Sequence, residues 1–226
     1  MANIFPRWSN TLAPKAIFFG GLVGTTVVLG VWYYFTPKYT RVGYMPTQPV
    51  PFQHSIHVQQ LGMDCRYCHS YVEVSSHSNV PSTQTCMNCH TAIKGQSPKL
   101  QPVRDSWQSG KPVEWVRIHR VPDYAYFNHS AHVNRGVSCV SCHGKINEME
   151  VVWEDQSLGM AFCLNCHRNV ENYLRPLSEI THLDWKPEDL GTNPDTGKPW
   201  TQLEIGTKLK HDWNVQPKVT CNTCHR

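Results

Sequence analysis

Apolar residues are distributed very unevenly along this chain. From Ala16 to Phe35 the sequence AIFFGGLVGTTVVLGVWYYF runs twenty residues without a charge, and at about 1.5 Å per residue that stretch spans about 30 Å of hydrocarbon. It predicts a transmembrane helix. Trp32, Tyr33 and Tyr34 stand at its exit, where amphipathic rings prefer the membrane interface, and Lys15, Lys38 and Arg41 bracket it. The bulky exit has no small-x-small cleavage site, which argues against a removed signal peptide. Gly20 and Gly24 form a small-x-x-x-small pair through which a second helix can approach, unless the glycines are merely tolerated. Beyond Phe35 the pattern changes. Pro37, Pro46, Pro49 and Pro51 punctuate a linker that should run extended, and the remainder predicts short helices and long irregular connections rather than a layered fold.

The reason for that irregularity lies in the cysteines. Five times a Cys-x-x-Cys pair is followed at once by histidine: Cys65-Cys68-His69, Cys86-Cys89-His90, Cys139-Cys142-His143, Cys163-Cys166-His167 and Cys221-Cys224-His225, which uses all 10 cysteines. A zinc knuckle or a redox disulfide needs no histidine at that position. Covalent c-type haem attachment does, because two thiols on one short turn form thioethers with the porphyrin vinyls while the next residue offers imidazole to iron. The expected fold is therefore a multihaem cytochrome c with little regular secondary structure, built of short helices around five covalently bound haem c groups and preceded by one transmembrane helix.

Charge follows from the same cofactors. The polypeptide carries a formal +4, but ionised propionates and ferric cores on five haems bring the oxidised protein to roughly −1. That excludes a nucleic-acid partner. Basic residues flank the apolar span on both sides, so charge alone does not orient it. Thioether attachment occurs outside the bacterial inner membrane, which places the body in the periplasm and the short N-terminus in the cytoplasm.

The chain also repeats itself. Phe52-x-His54-x-x-His57 precedes the first haem motif and Phe127-x-His129-x-x-His132 the third, with Gly62 and Gly136 each three residues before the first cysteine. Cys86-Met-Asn-Cys-His and Cys163-Leu-Asn-Cys-His echo each other in the same way. A two-haem module has been duplicated. The expected organisation is a stub and helix over 1–35, a proline-rich linker over 36–51, a first module with its connector over 52–126, and a second module with the fifth haem over 127–226. Gly191 to Lys198 superficially resembles a phosphate loop, yet it has one residue too many between its glycines and Pro199 where Ser or Thr is required.

Eight histidines lie outside the motifs: His54, His57, His77, His119, His129, His132, His182 and His211. They suffice to give each iron a second axial imidazole and leave no open site. On a helix His54 and His57 would be neighbours about 5–6 Å apart at Cβ, so they cannot occupy opposite faces of one iron, and if both are ligands they serve two different haems. The same holds for His129 and His132. His77 and His119 are further candidate ligands, Met160 is either a thioether ligand or a packing residue, and His182 and His211 read as solvated side chains.

The Phe-x-His-x-x-His leader resembles that of the small class III multihaem cytochromes. That likeness implies that His54 ligates the haem of His69 and His57 that of His90, with His129 and His132 repeating this for His143 and His167. Over nearly its whole length, through PTQPVPFQHSIHVQQLGMDCRYCH, VPSTQTCMNCH and VPDYAYFNHSAHVNRGVSCVSCHG, the chain resembles the membrane-anchored pentahaem subunit of alternative complex III, the bacterial quinol:electron-acceptor oxidoreductase. The resemblance implies an electron relay rather than an enzyme. Its partners would be integral-membrane and iron–sulfur subunits on one side and a monohaem cytochrome c or terminal oxidase on the other. Two alternatives are a stand-alone multihaem quinol dehydrogenase, which would carry the same anchor, and a reductase of nitrite or a similar oxyanion, which would need an exchangeable iron position. Five intact motifs set a stoichiometry: intact mass spectrometry should find about 3 kDa of haem on the 25.9 kDa polypeptide, and a mass equivalent to three or four haems would remove a motif from the set.

Overall fold

The structure, a computed structural model, describes residues 6–225, with the backbone alone described for 36–40. It divides into two compact units, Met1–Arg41 and Val42–Arg226. In the first, a 3₁₀ turn (Arg7–Thr11) leads into helix α1 (Leu12–Thr40) of 29 residues. Its described side chains are exposed, among them Ile17, Phe18, Val28 and Trp32, and the stretch Arg7–Phe35 is long and apolar enough to cross a membrane. The helix runs five residues past Phe35, where an extended linker was expected, because its hydrogen-bond ladder continues until Arg41 takes a left-handed φ of 54°.

The second unit contains no β-strand among the described residues, only the isolated bridges Ala125–His225, Val137–Leu174 and Thr192–Pro199. Its helices are short: α2 (Cys65–Cys68), α3 (Thr83–His90), α4 (Gln101–Ser109), α5 (His129–Val133), α6 (Val140–His143), α7 (Met160–Arg168), α8 (Gln202–Asp212) and α9 (Cys221–Cys224). The first leader forms a π-helical turn, Ser55–Gln60, and the second forms α5. The apolar core is correspondingly thin. Val50, Val103, Met149, Val170, Leu174, Ile180, Leu183 and Ile205 are buried, which is little for a body of this size and is the expected consequence of a fold designed around large apolar macrocycles.

What polypeptide core exists braces the haem motifs. Ser106 of α4 reaches Thr83 at the head of α3, Oγ to Oγ 1 at 2.6 Å, and α4 ends on left-handed Gly110. Helix α8 starts in a Thr201–Glu204 capping box and packs on the turn after the fourth motif. There Gly206 lies so close to the Glu171 carbonyl that a Cβ would fall 1.7 Å from its oxygen. Lys210 pairs with Glu171 at 2.8 Å. Both leaders close on glycines with positive φ, Gly62 at 66° and Gly136 at 82°, so glycine at that place in the repeat serves a left-handed turn that delivers the chain to its first cysteine.

Asp64 starts the first haem turn. Its carboxylate accepts from the Arg66 backbone N–H at 2.8 Å, from the Arg66 guanidinium at 2.9 Å and from the Thr181 hydroxyl at 3.0 Å. The Arg66 side-chain bonds lead in lowering its pKa from 3.8 to about 2. Because the folded-state value is depressed, this support is complete above the unfolded pKa of about 4 and is lost as pH falls towards 2. Asp64→Asn should therefore lower the melting temperature at pH 7, and thermal scans of variant and wild type should converge as pH drops through that window. Scans that stay parallel would show that Asp64 contributes nothing through its charge.

Candidate haem-binding sites

Each Cys-x-x-Cys-His motif folds as a helical turn, which puts the two thiols on one face and the imidazole just beyond. In the first, third and fifth motifs the histidine N–H donates to the first cysteine's carbonyl at 2.9 Å, His69 to Cys65, His143 to Cys139 and His225 to Cys221. The second and fourth motifs close the longer helices α3 and α7. None of the ten cysteines is paired in a disulfide. Burial raises Cys142 to about 12 and Cys166 to about 11, and it also raises Cys68, Cys86 and Cys163. Among the described residues no three His, Cys, Asp or Glu side chains converge as a metal cage requires.

The histidines are held differently from those of a solvated surface. Nδ1 of His69 meets the Asn79 carbonyl at 2.7 Å, that of His90 meets Ile93 O at 2.9 Å, that of His167 meets Lys218 O at 2.8 Å, and that of His225 meets Tyr124 O at 3.2 Å. The leaders repeat the device: His57 to Gln53 O at 2.9 Å, His132 to Asn128 O at 2.7 Å and His129 to Ser76 O at 3.0 Å. A carbonyl can only accept, so Nδ1 carries the proton in all seven rings and the lone pair stays on Nε2. That is the tautomer an iron requires. Burial also keeps the rings neutral, lowering His54 to about 4 and His143 to about 3 and depressing His129 and His132. His54 and His143 leave a buried Nδ1 without a hydrogen-bond partner.

The leader phenylalanines set ring orientation. Phe52 stacks on His57 at 4.4 Å and meets His54 edge-on at 4.9 Å, and Phe127 does the same to His132 at 4.5 Å and His129 at 4.7 Å. Across each module the second leader histidine faces the histidine of the second motif, His57 to His90 and His132 to His167, both with ring centres 6.1 Å apart. Two metal–nitrogen bonds of about 2 Å on opposite faces of one iron place imidazole centres about 6 Å apart. Both ring pairs thus have the centre-to-centre spacing that two ligands of one iron would show.

The remaining candidates sit as follows. His119 lies edge-on to His143 at 4.3 Å, closer than two rings that straddle an iron. Its segment is tied down by Gln48, whose side-chain amide pairs with both backbone groups of Val116. His77 Nδ1 meets the Ser76 hydroxyl at 2.9 Å. Met160 opens α7 with its side chain exposed. His182 and His211 are exposed beside Glu179 and Asp212. Sequence reasoning did not find the carbonyls of Asn79, Lys218 and Tyr124, because a backbone acceptor leaves no mark in residue type.

Short helices on thiol-bearing turns, with imidazoles locked in the metal-binding tautomer, define a multihaem cytochrome c, an electron-transfer protein. Residues 50–105 and 125–226 match the family of cytochrome c7 and related cytochrome c, and the chain belongs to that family. It is 30% identical to the multihaem cytochrome c subunit of menaquinone reductase from Nitratidesulfovibrio vulgaris, over 93% of this chain and 90% of that protein. It is also 23% identical to the cytochrome subunit of acrylate reductase from Shewanella woodyi, over 51% of this chain and 72% of that one.

If His57 and His90 are the two axial ligands of one haem, His57→Ala should convert one haem to a five-coordinate or water-ligated form and leave the others low-spin, counted by electron paramagnetic resonance. An unchanged low-spin spectrum would remove His57 from the ligand set.

Proposed function

We propose that this chain is the electron-relay subunit of a quinol-oxidising membrane complex of the alternative complex III type. In this reading it carries five covalent haems on the periplasmic side of the bacterial inner membrane. The observation that carries the reading is the pair of 6.1 Å imidazole gaps, His57–His90 and His132–His167. A haem with both axial positions filled by protein has no place for substrate and can only exchange electrons. The likeness to a menaquinone reductase subunit along nearly the full length of both proteins supports quinone-linked work, and the uncovered apolar stretch Arg7–Phe35 supports a membrane anchor.

In such a complex this chain performs no bond chemistry. Cys65 and Cys68, with their counterparts in the other four motifs, tether the haems. His69, His90, His143, His167 and His225 supply proximal imidazoles, and His54, His57, His129 and His132 supply distal ones, with His77, His119 and Met160 as further candidates. The donor is an iron–sulfur or quinol-oxidising subunit, and the acceptor is a monohaem cytochrome c or terminal oxidase. A mild-detergent pull-down should recover integral-membrane and iron–sulfur partners, and quinol should reduce the haems only in their presence. Reduction of the isolated chain by quinol would favour the stand-alone dehydrogenase instead. Alkaline carbonate should leave the chain in the membrane fraction with the apolar stretch Arg7–Phe35 retained, and a soluble protein starting near Thr36 would overturn the anchor.

A further inference from the structure

The two modules grip each other by a reciprocal exchange. Ser55 of the first leader donates its N–H to the Met149 carbonyl at 3.2 Å, and Ser130 of the second leader donates to the Ser75 carbonyl at 3.1 Å. Ser130 follows Ser55 by 75 positions and Met149 follows Ser75 by 74, the offsets of the sequence repeat. They are one bond made twice, once in each direction, which is the signature of an approximate twofold axis between the modules. Like elements meet on such an axis. The repeat equivalents Cys65 and Cys139 are neighbours there.

Away from the axis each module continues outward to its second motif. In the first, His57 faces His90 and the Asn88 amide of the second motif reaches the Tyr67 hydroxyl of the first at 3.3 Å. In the second, His132 faces His167. The two outer ends then differ. His90 anchors Nδ1 on Ile93, three residues along its own turn, whereas His167 anchors on Lys218, three residues before the fifth motif. The fifth motif is in turn held against the second leader, with Tyr126 N–H on the Cys224 carbonyl at 2.8 Å.

We infer that the haems lie in the spatial order second, first, third, fourth, fifth, with the first and third paired across the twofold axis and the haems of His90 and His225 forming the two redox termini. This rests on the five-haem relay reading above. The path departs from chain order: the first haem in sequence is interior. Each hop oxidises one ferrous iron and reduces its ferric neighbour, a reductant of the quinol-oxidising class supplies one terminus, and a one-electron acceptor protein drains the other.

The test is an experimental structure of the full, haem-loaded chain in detergent, in which the five irons are located directly. The shortest iron–iron spacings should be those between the haems of His90 and His69, His69 and His143, His143 and His167, and His167 and His225. An iron at His90 nearer to that of His143 or His225 than to that of His69 would overturn the order, while five low-spin haems in any other order would leave the relay function intact. A chain with fewer haems would instead undo the five-haem reading. In solution, Cys221→Ser with Cys224→Ser should alter the paramagnetic resonance signal of one remaining haem. Cys139→Ser with Cys142→Ser should alter two, and an equal count in both variants would contradict the terminal and interior placements.

Discussion

An imidazole offers Nε2 to a metal only while Nδ1 keeps the proton, and the fold of this chain depends on enforcing that choice many times over. Each lock is a backbone carbonyl held at hydrogen-bond distance from a ring nitrogen. The connecting segments, irregular as they are, are fixed by this requirement. The loop after the first motif must return Asn79 to His69, and the run before the fifth must bring Lys218 to His167. A regular sheet or bundle would commit those same carbonyls to its own ladder.

The same economy explains the thin core. Eight apolar side chains are buried among the described residues, few for a body of this length, and the large exposed residues around the motifs, such as Tyr67, Tyr71 and Tyr124, are the kind of surface that macrocycles would cover. Stability is then inseparable from the cofactor, since haem that binds only the folded chain contributes its binding free energy to folding. The polar clamps, Asp64 on the first turn and Glu171 beneath α8, position short pieces rather than build a core.

Much of this was legible in the residues. The five motifs, the duplicated leader and the apolar span each announce themselves through residue type at fixed spacing, and the lack of strands among the described residues agrees with the short helices and irregular connections expected of so little chain per motif. The glycines at 62 and 136 were visible as repeat markers, and their left-handed φ supplies the cause. Three things were hidden. The carbonyl locks have no side-chain signature. The length of α1 beyond Phe35 is a property of the ladder rather than of apolar pattern. The edge-on contact of His119 with His143 arises because the Gln48 amide fastens Val116 from 68 residues away, a tertiary tie that local sequence does not encode.

The exchanged Ser55–Met149 and Ser130–Ser75 bonds have the geometry by which two identical subunits pair. A homodimer of two-haem units built this way would have interchangeable ends, and nothing in it could tell an incoming electron from an outgoing one. Joining the copies in a single polypeptide removes that degeneracy. One copy can acquire a C-terminal extension whose Lys218 carbonyl caps His167, while its counterpart His90 stays capped by its own turn. In the proposed order of haems that one difference would give an otherwise symmetric object a polarity, and its two ends would be free to differ in the partners they dock.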